Sequence, residues 1–200
     1  MPHILVTASS IEVIRRGGLV IFPTETLYGL GCVVTNEDAL RRLFQIKGRA
    51  PGQPPPVLVA DEEQLRTLVE HIPASAVDLI DKYWPGPLTL VLPARDEVPM
   101  LLMGITADGS IRTIGVRRSA HPVAQTLCEE VGAPIVATSA NLSGATGRGA
   151  NPRCIADIPA SLQESVDVLI DGGVVGGEPS TVVDCTCDPP HVLRHGASRL

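Results

Sequence analysis

Two short polar motifs, Lys47-Gly48-Arg49 and Ser139-Ala140-Asn141, carry side chains whose chemistry suits a phosphate ligand. A lysine ammonium attracts phosphate as a compact point charge, and an arginine guanidinium can bind it through two parallel hydrogen bonds. The chain has 16 basic residues, and its two lysines are Lys47 and Lys82. A lysine at position 47 is therefore an uncommon choice for this sequence. Taken alone, each motif also fits a solvated helix end or an ordinary turn.

Familiar nucleotide and nucleophile motifs are absent from the sequence. It contains no G-x-x-x-x-G-K-[ST] phosphate loop, no G-x-G-x-x-G dinucleotide motif and no G-x-S-x-G nucleophile elbow. A nucleotide site would therefore be assembled from separate segments. Segments 24–31 and 138–144 and the pair Arg117-Arg118 all follow predicted strands. Binding sites of α/β proteins form where strands end in loops, so these segments are the candidates.

Short apolar runs rich in Val, Ile, Leu or Thr predict the strands that position these motifs. The runs span 19–22, 57–60, 88–92, 111–116, 135–138, 166–170 and 181–183. Amphipathic spacing and capping residues predict helices over 9–16, 36–44, 61–72 and 122–131. Because helices and strands alternate without a regular βαβ rhythm, we expect an α/β fold with a mixed, twisted sheet flanked by helices. We expect the least order at 50–55, 95–109 and 144–151.

Length and charge narrow the class of protein. Two hundred residues, 44% hydrophobic and 19% charged, predict one domain over 1–200. The net charge of −6 and the scarcity of aromatic residues, one Trp, two Tyr and two Phe, argue against a surface that neutralises or stacks on RNA. The N-terminal segment lacks a signal-peptide pattern, and no apolar run is long enough to predict a membrane span. We therefore expect a cytoplasmic protein.

Four soft metal ligands, Cys185, Cys187, His191 and His195, lie within eleven residues of sequence. Structural zinc is one interpretation of this cluster. The C-x-C and H-x-x-x-H spacings differ from those of zinc fingers, and Pro189-Pro190 separates the two halves, so we favour a hairpin with unliganded side chains. The odd total of five cysteines indicates free thiols in a reducing compartment.

Seven segments occur in order between about 17 and 196: PTETLYGLG (23–31), KGR (47–49), WPGPLTLVL (84–92), IGVRRSAHP (114–122), PIVATSANLSG (134–144), STVVD (180–184) and VLRHG (192–196). Through them the sequence strongly resembles the YrdC family, the threonylcarbamoyl-AMP synthases. The resemblance implies a twisted α/β sheet with a large, positively lined groove. It also implies that L-threonine, bicarbonate and ATP, with Mg²⁺ on the phosphates, condense to threonylcarbamoyl-AMP and pyrophosphate. A separate transferase complex then modifies tRNA to threonylcarbamoyladenosine.

The resemblance also assigns residues to the two ends of the groove. The ATP-binding residues would be Lys47, Arg49, Thr113, Ser139, Asn141 and Arg194, with Lys47 and Arg49 as the catalytic pair. The threonine-binding residues would be Thr24, Tyr28, Arg117 and Ser180, with Arg117 as the partner of the carboxylate. No side chain is predicted to be a nucleophile or a metal ligand, because the carbamate of threonine can itself attack the α-phosphate.

Two departures from the family pattern lie in the loop after Arg49. The family reads K-x-R-P where this chain has Ala50, and a later Pro-Leu is replaced by Pro54-Pro55, with Pro56 following. The conformation and closure of this loop are therefore the family features that we least expect to find unchanged in this chain. Longer members of the family carry a second, C-terminal domain after a linker, and we expect this chain to have the single domain only.

Two alternative functions remain open at this point. One is a non-catalytic RNA-binding or ribosome-assembly module with weak RNA contacts, against which the acidic charge and the few aromatic residues argue. The other is a relative that forms a carbamoyl adenylate from carbamoyl phosphate. Those relatives are generally larger, with additional domains.

Overall fold

The computed structural model describes residues 6–50, 52–146 and 150–200, in which amphipathic helices alternate with short buried strands. The helices are Ala8–Arg15 (α1), Glu37–Lys47 (α2), Glu62–Arg66 (α3), Ala74–Tyr83 (α4), Pro122–Val131 (α5) and Ala160–Gln163 (α6). The strands are Val20–Pro23 (β1), Tyr28–Gly31 (β2), Val57–Leu58 (β3), Leu88–Pro93 (β4), Gly104–Ile105 (β5), Arg112–Arg117 (β6), Ile135–Val136 (β7), Thr138–Ser139 (β8), Val168–Leu169 (β9), Thr181–Asp184 (β10) and His191–Arg194 (β11). The predicted mixed α/β class is confirmed.

The strands form two sheets that contain both parallel and antiparallel pairs. The smaller sheet has the order β8-β2-β1-β9, and the larger has the order β11-β10-β4-β6-β3-β7, with β5 also pairing with β6. In the larger sheet β4 and β6 are antiparallel, with Leu90 opposite Val116, while β10 runs parallel to β4. The C-terminal end of β6 therefore delivers Arg117 to the edge where the two sheets meet.

Strand β7 of the larger sheet continues directly into strand β8 of the smaller sheet. The strand predicted at 135–138 is interrupted at Ala137: β7 pairs with β3 in the larger sheet, and β8 pairs with β2 in the smaller one. The two sheets approach closely here, because a Cβ on Gly31 would lie 2.0 Å from the Val136 carbonyl oxygen. Only glycine fits at that position. The crossing places Thr138 and Ser139 at the junction of the sheets.

Capping residues that are visible in the sequence determine where helix α2 begins and ends. The Asn36 side chain accepts a hydrogen bond from the Ala39 N–H at 2.9 Å, and the first turn carries two acidic residues that favour the positive end of the helix dipole. The helix ends at Lys47 because Gly48 adopts a left-handed conformation with φ of 63°. The apolar face, which includes Leu40 and Leu43, is fully buried in the core.

Buried aliphatic side chains fill two clusters that fix the sheets. The larger includes Ile21, Leu30 and Val116, and the smaller packs helices α1 and α5 against Phe22 and Ile135. Burying each such side chain contributes roughly 1.5–3 kcal/mol relative to exposure. No helix in the described ranges is both long enough and apolar enough to cross a bilayer.

Some predicted element boundaries are wrong. The helix predicted at 61–72 ends at Arg66 because the next residues pair with the end of β4: Arg95 donates to the Leu68 carbonyl, and Val69 bridges Ala94. The sequence reading also missed α4 and β2. Strand β2 lies across a tight turn from β1, so the segment read as a loop is half of a hairpin.

The segment 95–109 is more ordered than predicted. It contains a 3₁₀ turn over Met100–Leu102 with Leu102 fully buried, followed by β5 on the edge of β6. Burial of an apolar side chain and pairing of the backbone compensate for its irregular composition. For the two other segments expected to be poorly ordered, residues 51 and 147–149 lie outside the described residues.

Candidate functional site

A cleft of about 210 Å³ opens where the two sheets meet. Its walls come from the β1–β2 turn, the loop after α2, the end of β6, the β7–β8 crossing, and the start of β10 with the end of β11. The residues that line it are Thr24, Thr26, Leu27, Tyr28, Gly29, Arg49, Pro56, Arg117, Ala137, Thr138, Ser139, Asn151, Pro179, Ser180 and Arg194. Segments far apart in sequence thus form one concave surface.

Most of the residues proposed for substrate binding meet at this cleft. Seven of the ten line it: Thr24, Tyr28, Arg49, Arg117, Ser139, Ser180 and Arg194. Lys47, Thr113 and Asn141 are not among the lining residues. Lys47 and Asn141 lie directly behind the Ser139 wall, whereas Thr113 lies on the same face of β6 as Arg117 but four residues away, roughly 13 Å along the strand.

The β1–β2 turn is built around the Thr24 hydroxyl. Its Oγ1 donates to the Leu27 carbonyl at 2.7 Å and accepts from the Leu27 N–H at 3.2 Å, as a threonine-stabilised turn requires. The same oxygen lies 2.9 Å from Thr26 Oγ1. Two hydroxyls are thereby held side by side at the cleft wall.

Arg117 is a buried cation with a defined partner. Its side chain is 7% exposed, and Nη1 donates to Glu25 Oε1 at 3.1 Å and to Thr26 Oγ1 at 3.1 Å. Burial lowers the pKa of Arg117, the carboxylate of Glu25 opposes that change, and the charge of Arg194 adds to it. The guanidinium remains charged because the ordinary pKa of arginine is so high. A fixed positive charge therefore faces this end of the cleft.

A second cation is tied to the start of β10. Arg194 donates from Nε at 3.1 Å and from Nη2 at 2.8 Å to the Ser180 carbonyl. Ser180 Oγ in turn lies 2.8 Å from Thr89 Oγ1 on β4. The β10–β11 hairpin thus orients a hydroxyl and a guanidinium together.

The third cation comes from the loop after α2. Arg49 Nη1 donates to Thr138 Oγ1 at 3.0 Å, and its Nε donates to the Gln53 carbonyl. The left-handed Gly48 turns the chain so that Arg49 reaches the crossing between the sheets.

Lys47 lies behind the cleft wall and holds it in place. Its side chain is 3% exposed, and Nζ donates to the Ser139 carbonyl at 2.6 Å, the Asn141 carbonyl at 2.9 Å and Asn141 Oδ1 at 2.7 Å. A lysine ammonium has three N–H donors and no acceptor, so all of its donors are used. In this geometry Lys47 fixes the 139–141 turn through all three of its hydrogen bonds.

We expect Lys47 to make folding stability depend on pH between about 7 and about 10. Burial first, and then the charge of Arg49, lowers the pKa of Lys47 from 10.5 to about 7. In this window the unfolded chain binds more protons than the folded chain, so the free energy of unfolding rises with pH. Urea unfolding of the wild type and of Lys47→Met at several pH values measures this effect. The difference between the two proteins should change across the window, and a constant difference would contradict the prediction.

Tyr28 lines the cleft, but its hydroxyl is hydrogen-bonded to residues that are not among the described lining residues. It lies 3.0 Å from Asp171 Oδ1 and 2.9 Å from the Gly173 carbonyl, and it accepts from the Gly172 N–H. Burial is the main cause that raises the pKa of Tyr28 to about 12. Tyr28 therefore contributes a neutral wall.

The cleft is cationic in a chain whose net charge is −6. Three guanidinium groups line it, and no carboxylate does among the described lining residues. Glu25, just outside the lining, is engaged by Arg117. These residues do not fit a resident divalent metal, which prefers oxygen ligands and above all carboxylates. They do fit an anion, because guanidinium groups bind phosphate and carboxylate well.

The sequence reading missed several residues that the geometry brings to the site. Thr26 and Thr138 each lie one or two positions from a predicted residue, and each accepts from a cleft arginine. Glu25 and Thr89 lie within PTETLYGLG and WPGPLTLVL, two of the segments on which the family resemblance is based. All four are polar residues at or near the end of a strand, and this feature of the sequence could have identified them.

The Cys185 to His195 region forms the predicted hairpin of β10 and β11. Cys185 is buried and Cys187 is exposed. In the described ranges, no group of three or more His, Cys, Asp and Glu side chains is placed to hold a metal ion. A second cavity, of about 320 Å³ beside α3 and α4, contains none of the ten proposed site residues.

Comparison with known sequences agrees with the predicted family. The family model Sua5_yciO_yrdC, described as "Telomere recombination", matches residues 12–196. The threonylcarbamoyl-AMP synthase of Pyrococcus abyssi is 41% identical over 188 residues, covering 94% of this chain and 53% of the relative. The uncharacterized protein YciO of Escherichia coli is 33% identical, covering 94% of this chain and 87% of the relative. A synthase of Bacillus subtilis, 38% identical, is also covered to 53%, so the chain spans about half the length of the curated synthases from these two organisms.

Solved structures share this fold over most of the chain. P. abyssi Sua5 complexed with L-threonine superimposes with a TM-score of 0.83 and 40% identity, over 94% of this chain and 53% of that chain. E. coli YciO superimposes with a TM-score of 0.81 and 31% identity, over 96% of this chain and 89% of that chain. With the match over residues 12–196, these similarities mean that the chain belongs to the Sua5/YciO/YrdC family.

Proposed function

We propose that this protein is a threonylcarbamoyl-AMP synthase, which condenses L-threonine, bicarbonate and ATP to L-threonylcarbamoyladenylate and pyrophosphate for the threonylcarbamoyladenosine modification of tRNA. The observation that carries the proposal is the convergence of Arg49, Arg117 and Arg194 on one small cleft with no carboxylate among its described lining residues. Two anionic substrates and one zwitterion would each find a cationic partner there. Similarity to relatives that carry this name adds support.

The two ends of the cleft suit different substrates. Arg117, with the paired hydroxyls of Thr24 and Thr26, forms a corner suited to a small hydroxylated amino acid and its carboxylate. Arg49 lies at the crossing next to Ser139 and offers its charge to the phosphates of ATP. Ser180 and Arg194 also line the cleft, and the charge of Arg194 acts on Arg117. The Sua5 structure from P. abyssi holds L-threonine, and we place threonine at the Arg117 corner.

The reaction needs no protein nucleophile. Threonine in its ammonium form and bicarbonate give the N-carbamate with release of water and one proton. A carbamate oxygen then bonds to the α-phosphorus of ATP as the bond to the β-phosphate oxygen breaks, and pyrophosphate leaves. Holding the reactants together and stabilising the phosphate charge are contributions that fixed guanidinium groups can make. Exclusion of water would preserve the labile carbamate.

Magnesium would enter with the nucleotide as part of the substrate. The described cleft residues supply no carboxylate ligand for it, and we assign no step to it. We also propose a cytoplasmic location and a tRNA-modifying transferase complex as the acceptor of the product.

We expect the purified chain to release pyrophosphate from ATP and Mg²⁺ only when both L-threonine and bicarbonate are present. Pyrophosphate release is the measurement, and omission of each substrate in turn is the control. Turnover of ATP that does not depend on threonine, or no turnover at all, would contradict the proposed function. Adenylate formation from carbamoyl phosphate would favour the carbamoyl-adenylate alternative. RNA affinity that weakens with salt, without threonine-dependent chemistry, would favour the RNA-binding alternative.

A further inference from the structure

Glu25 has no assigned role, yet it joins two strand ends at the cleft. Its side chain is 20% exposed. Oε1 accepts from Nη1 of Arg117 at 3.1 Å, and Oε2 accepts from the Ser119 hydroxyl. Ser119 is itself held, because its Oγ accepts from the His121 N–H at 3.2 Å at the start of α5. Both carboxylate oxygens are therefore bound to the segment that carries Arg117.

The hydrogen bonds of Arg117 leave one edge of its guanidinium for a ligand. Both N–H donors of Nη1 are used, one by Glu25 Oε1 and one by Thr26 Oγ1. In the described part of the chain, Nε and Nη2 have no hydrogen-bond partner. Since Arg117 lines the cleft, the free edge is the Nε–Nη2 pair, which is a geometry in which guanidinium binds a carboxylate through two parallel hydrogen bonds.

We propose that Glu25 is a positioning residue that holds the guanidinium of Arg117 with its Nε–Nη2 edge toward the carboxylate of the amino-acid substrate. The proposal rests on the proposed function, and it assigns Glu25 no contact with the substrate. An arginine side chain loses conformational freedom when it binds a ligand, and that loss opposes binding. Because Glu25 already restricts the Arg117 side chain before the substrate binds, binding loses less conformational entropy.

A positioning role and a purely electrostatic role of Glu25 predict opposite effects for the two conservative substitutions, Gln and Asp. Glu25→Gln keeps the side-chain length and one acceptor oxygen but removes the negative charge. Glu25→Asp keeps the charge but shortens the reach by one methylene. If Glu25 acts by reach and hydrogen bonding, Gln should preserve function better than Asp. If it acts through its charge, Asp should be the better replacement, and Gln should change carboxylate binding most.

The test measures binding of L-threonine and of L-threoninamide, in which an uncharged amide replaces the carboxylate, to each variant by calorimetry. The wild type should prefer L-threonine by roughly tenfold or more, the magnitude of a hydrogen-bonded contact to a charged group. Glu25→Gln should retain most of that preference, while Glu25→Asp and Glu25→Ala should reduce it to about twofold or less. ATP affinity should stay within about twofold in all variants. Glu12→Ala, which removes an exposed carboxylate paired with Arg16, is the matched control and should behave as wild type.

Better discrimination by Glu25→Asp than by Glu25→Gln would overturn the inference, and two further outcomes count against it. If Glu25→Ala and Glu25→Asp keep the preference for L-threonine over the amide, Glu25 does not position Arg117. If the wild type binds ATP but shows no affinity for L-threonine, the proposed function itself fails, and the inference fails with it. Thermal unfolding of each variant identifies a folding defect. Should Glu25→Ala not fold, the comparison of Gln with Asp decides alone.

Discussion

Replacement of Lys47 by methionine should reduce threonine-dependent pyrophosphate release on the order of a hundredfold, the scale expected when a change away from the reacting atoms misplaces them by about 1 Å. Methionine matches the length of the lysine stem but cannot donate. The carbonyl groups of Ser139 and Asn141, together with Asn141 Oδ1, would lose the ammonium that joins them. The turn at 139–141 then no longer has its shape fixed at the cleft wall. Steady-state kinetics with ATP and threonine varied separately is the measurement.

The chain provides a close control, because Lys82 is its other lysine. Lys82 is exposed on α4 with its ammonium 5.0 Å from the centre of the Tyr83 ring. Lys82→Met should leave the rate within about twofold of the wild type. Near-normal activity of Lys47→Met would remove Lys47 from the mechanism. An equal loss in both variants would indicate a general effect of charge.

The sequence motifs predicted the composition of the site better than its geometry. Residue type and position mark Arg49, Arg117 and Ser139, the family resemblance adds Arg194, and the fold brings all four to one cleft. Their convergence follows from strand order, since the ends of β6, β8 and β11 cluster once the two sheets form. Short apolar runs predict the end of β6 and the segment 135–138, because buried strands need Val, Ile and Leu, whereas β11 is mostly exposed and no such run predicts it.

The direction of individual side chains could not be predicted from the sequence. Lys47 has the residue type of a phosphate ligand, yet its ammonium binds main-chain oxygens more than 90 residues away. Whether a cation meets a ligand or a carbonyl depends on which backbone groups are left unpaired nearby. Those groups exist only after the chain has crossed between the sheets. The same reason explains why Glu25 was overlooked: its partners lie on a strand that is distant in sequence.

Strand β2 shows a related limit on sequence reasoning. Its residues Tyr28–Gly31 include two glycines, which are typical of loops. Glycine is needed at position 31 because the backbone of another strand occupies the space of a side chain. A tertiary contact therefore overrode local propensity, as happens where two sheets approach each other closely.

Arg117→Ala should have the largest combined effect, on both threonine binding and stability. The pair it forms with Glu25 is shielded, with side chains 7% and 20% exposed. Breaking such a pair costs about 3–5 kcal/mol, because the remaining carboxylate loses its partner. The KM for threonine should rise by roughly a hundredfold or more, since a carboxylate would lose a bidentate cation. Arg117→Lys should be intermediate in both measurements, because it keeps the charge without the planar fork.

Arg112 is the matched control for this prediction because it lies on the same strand, β6. Its pair with Asp96 is exposed, with side chains 57% and 89% accessible, and exposed pairs contribute about 0–1 kcal/mol. Arg112→Ala should therefore barely change urea unfolding or the KM for threonine. If Arg117→Ala unfolds at the same urea concentration as Arg112→Ala, the buried pair does not stabilise the fold. If the KM for threonine is also equal in the two variants, the amino-acid corner of the cleft lies elsewhere, because no other residue on β6 offers that corner a cation.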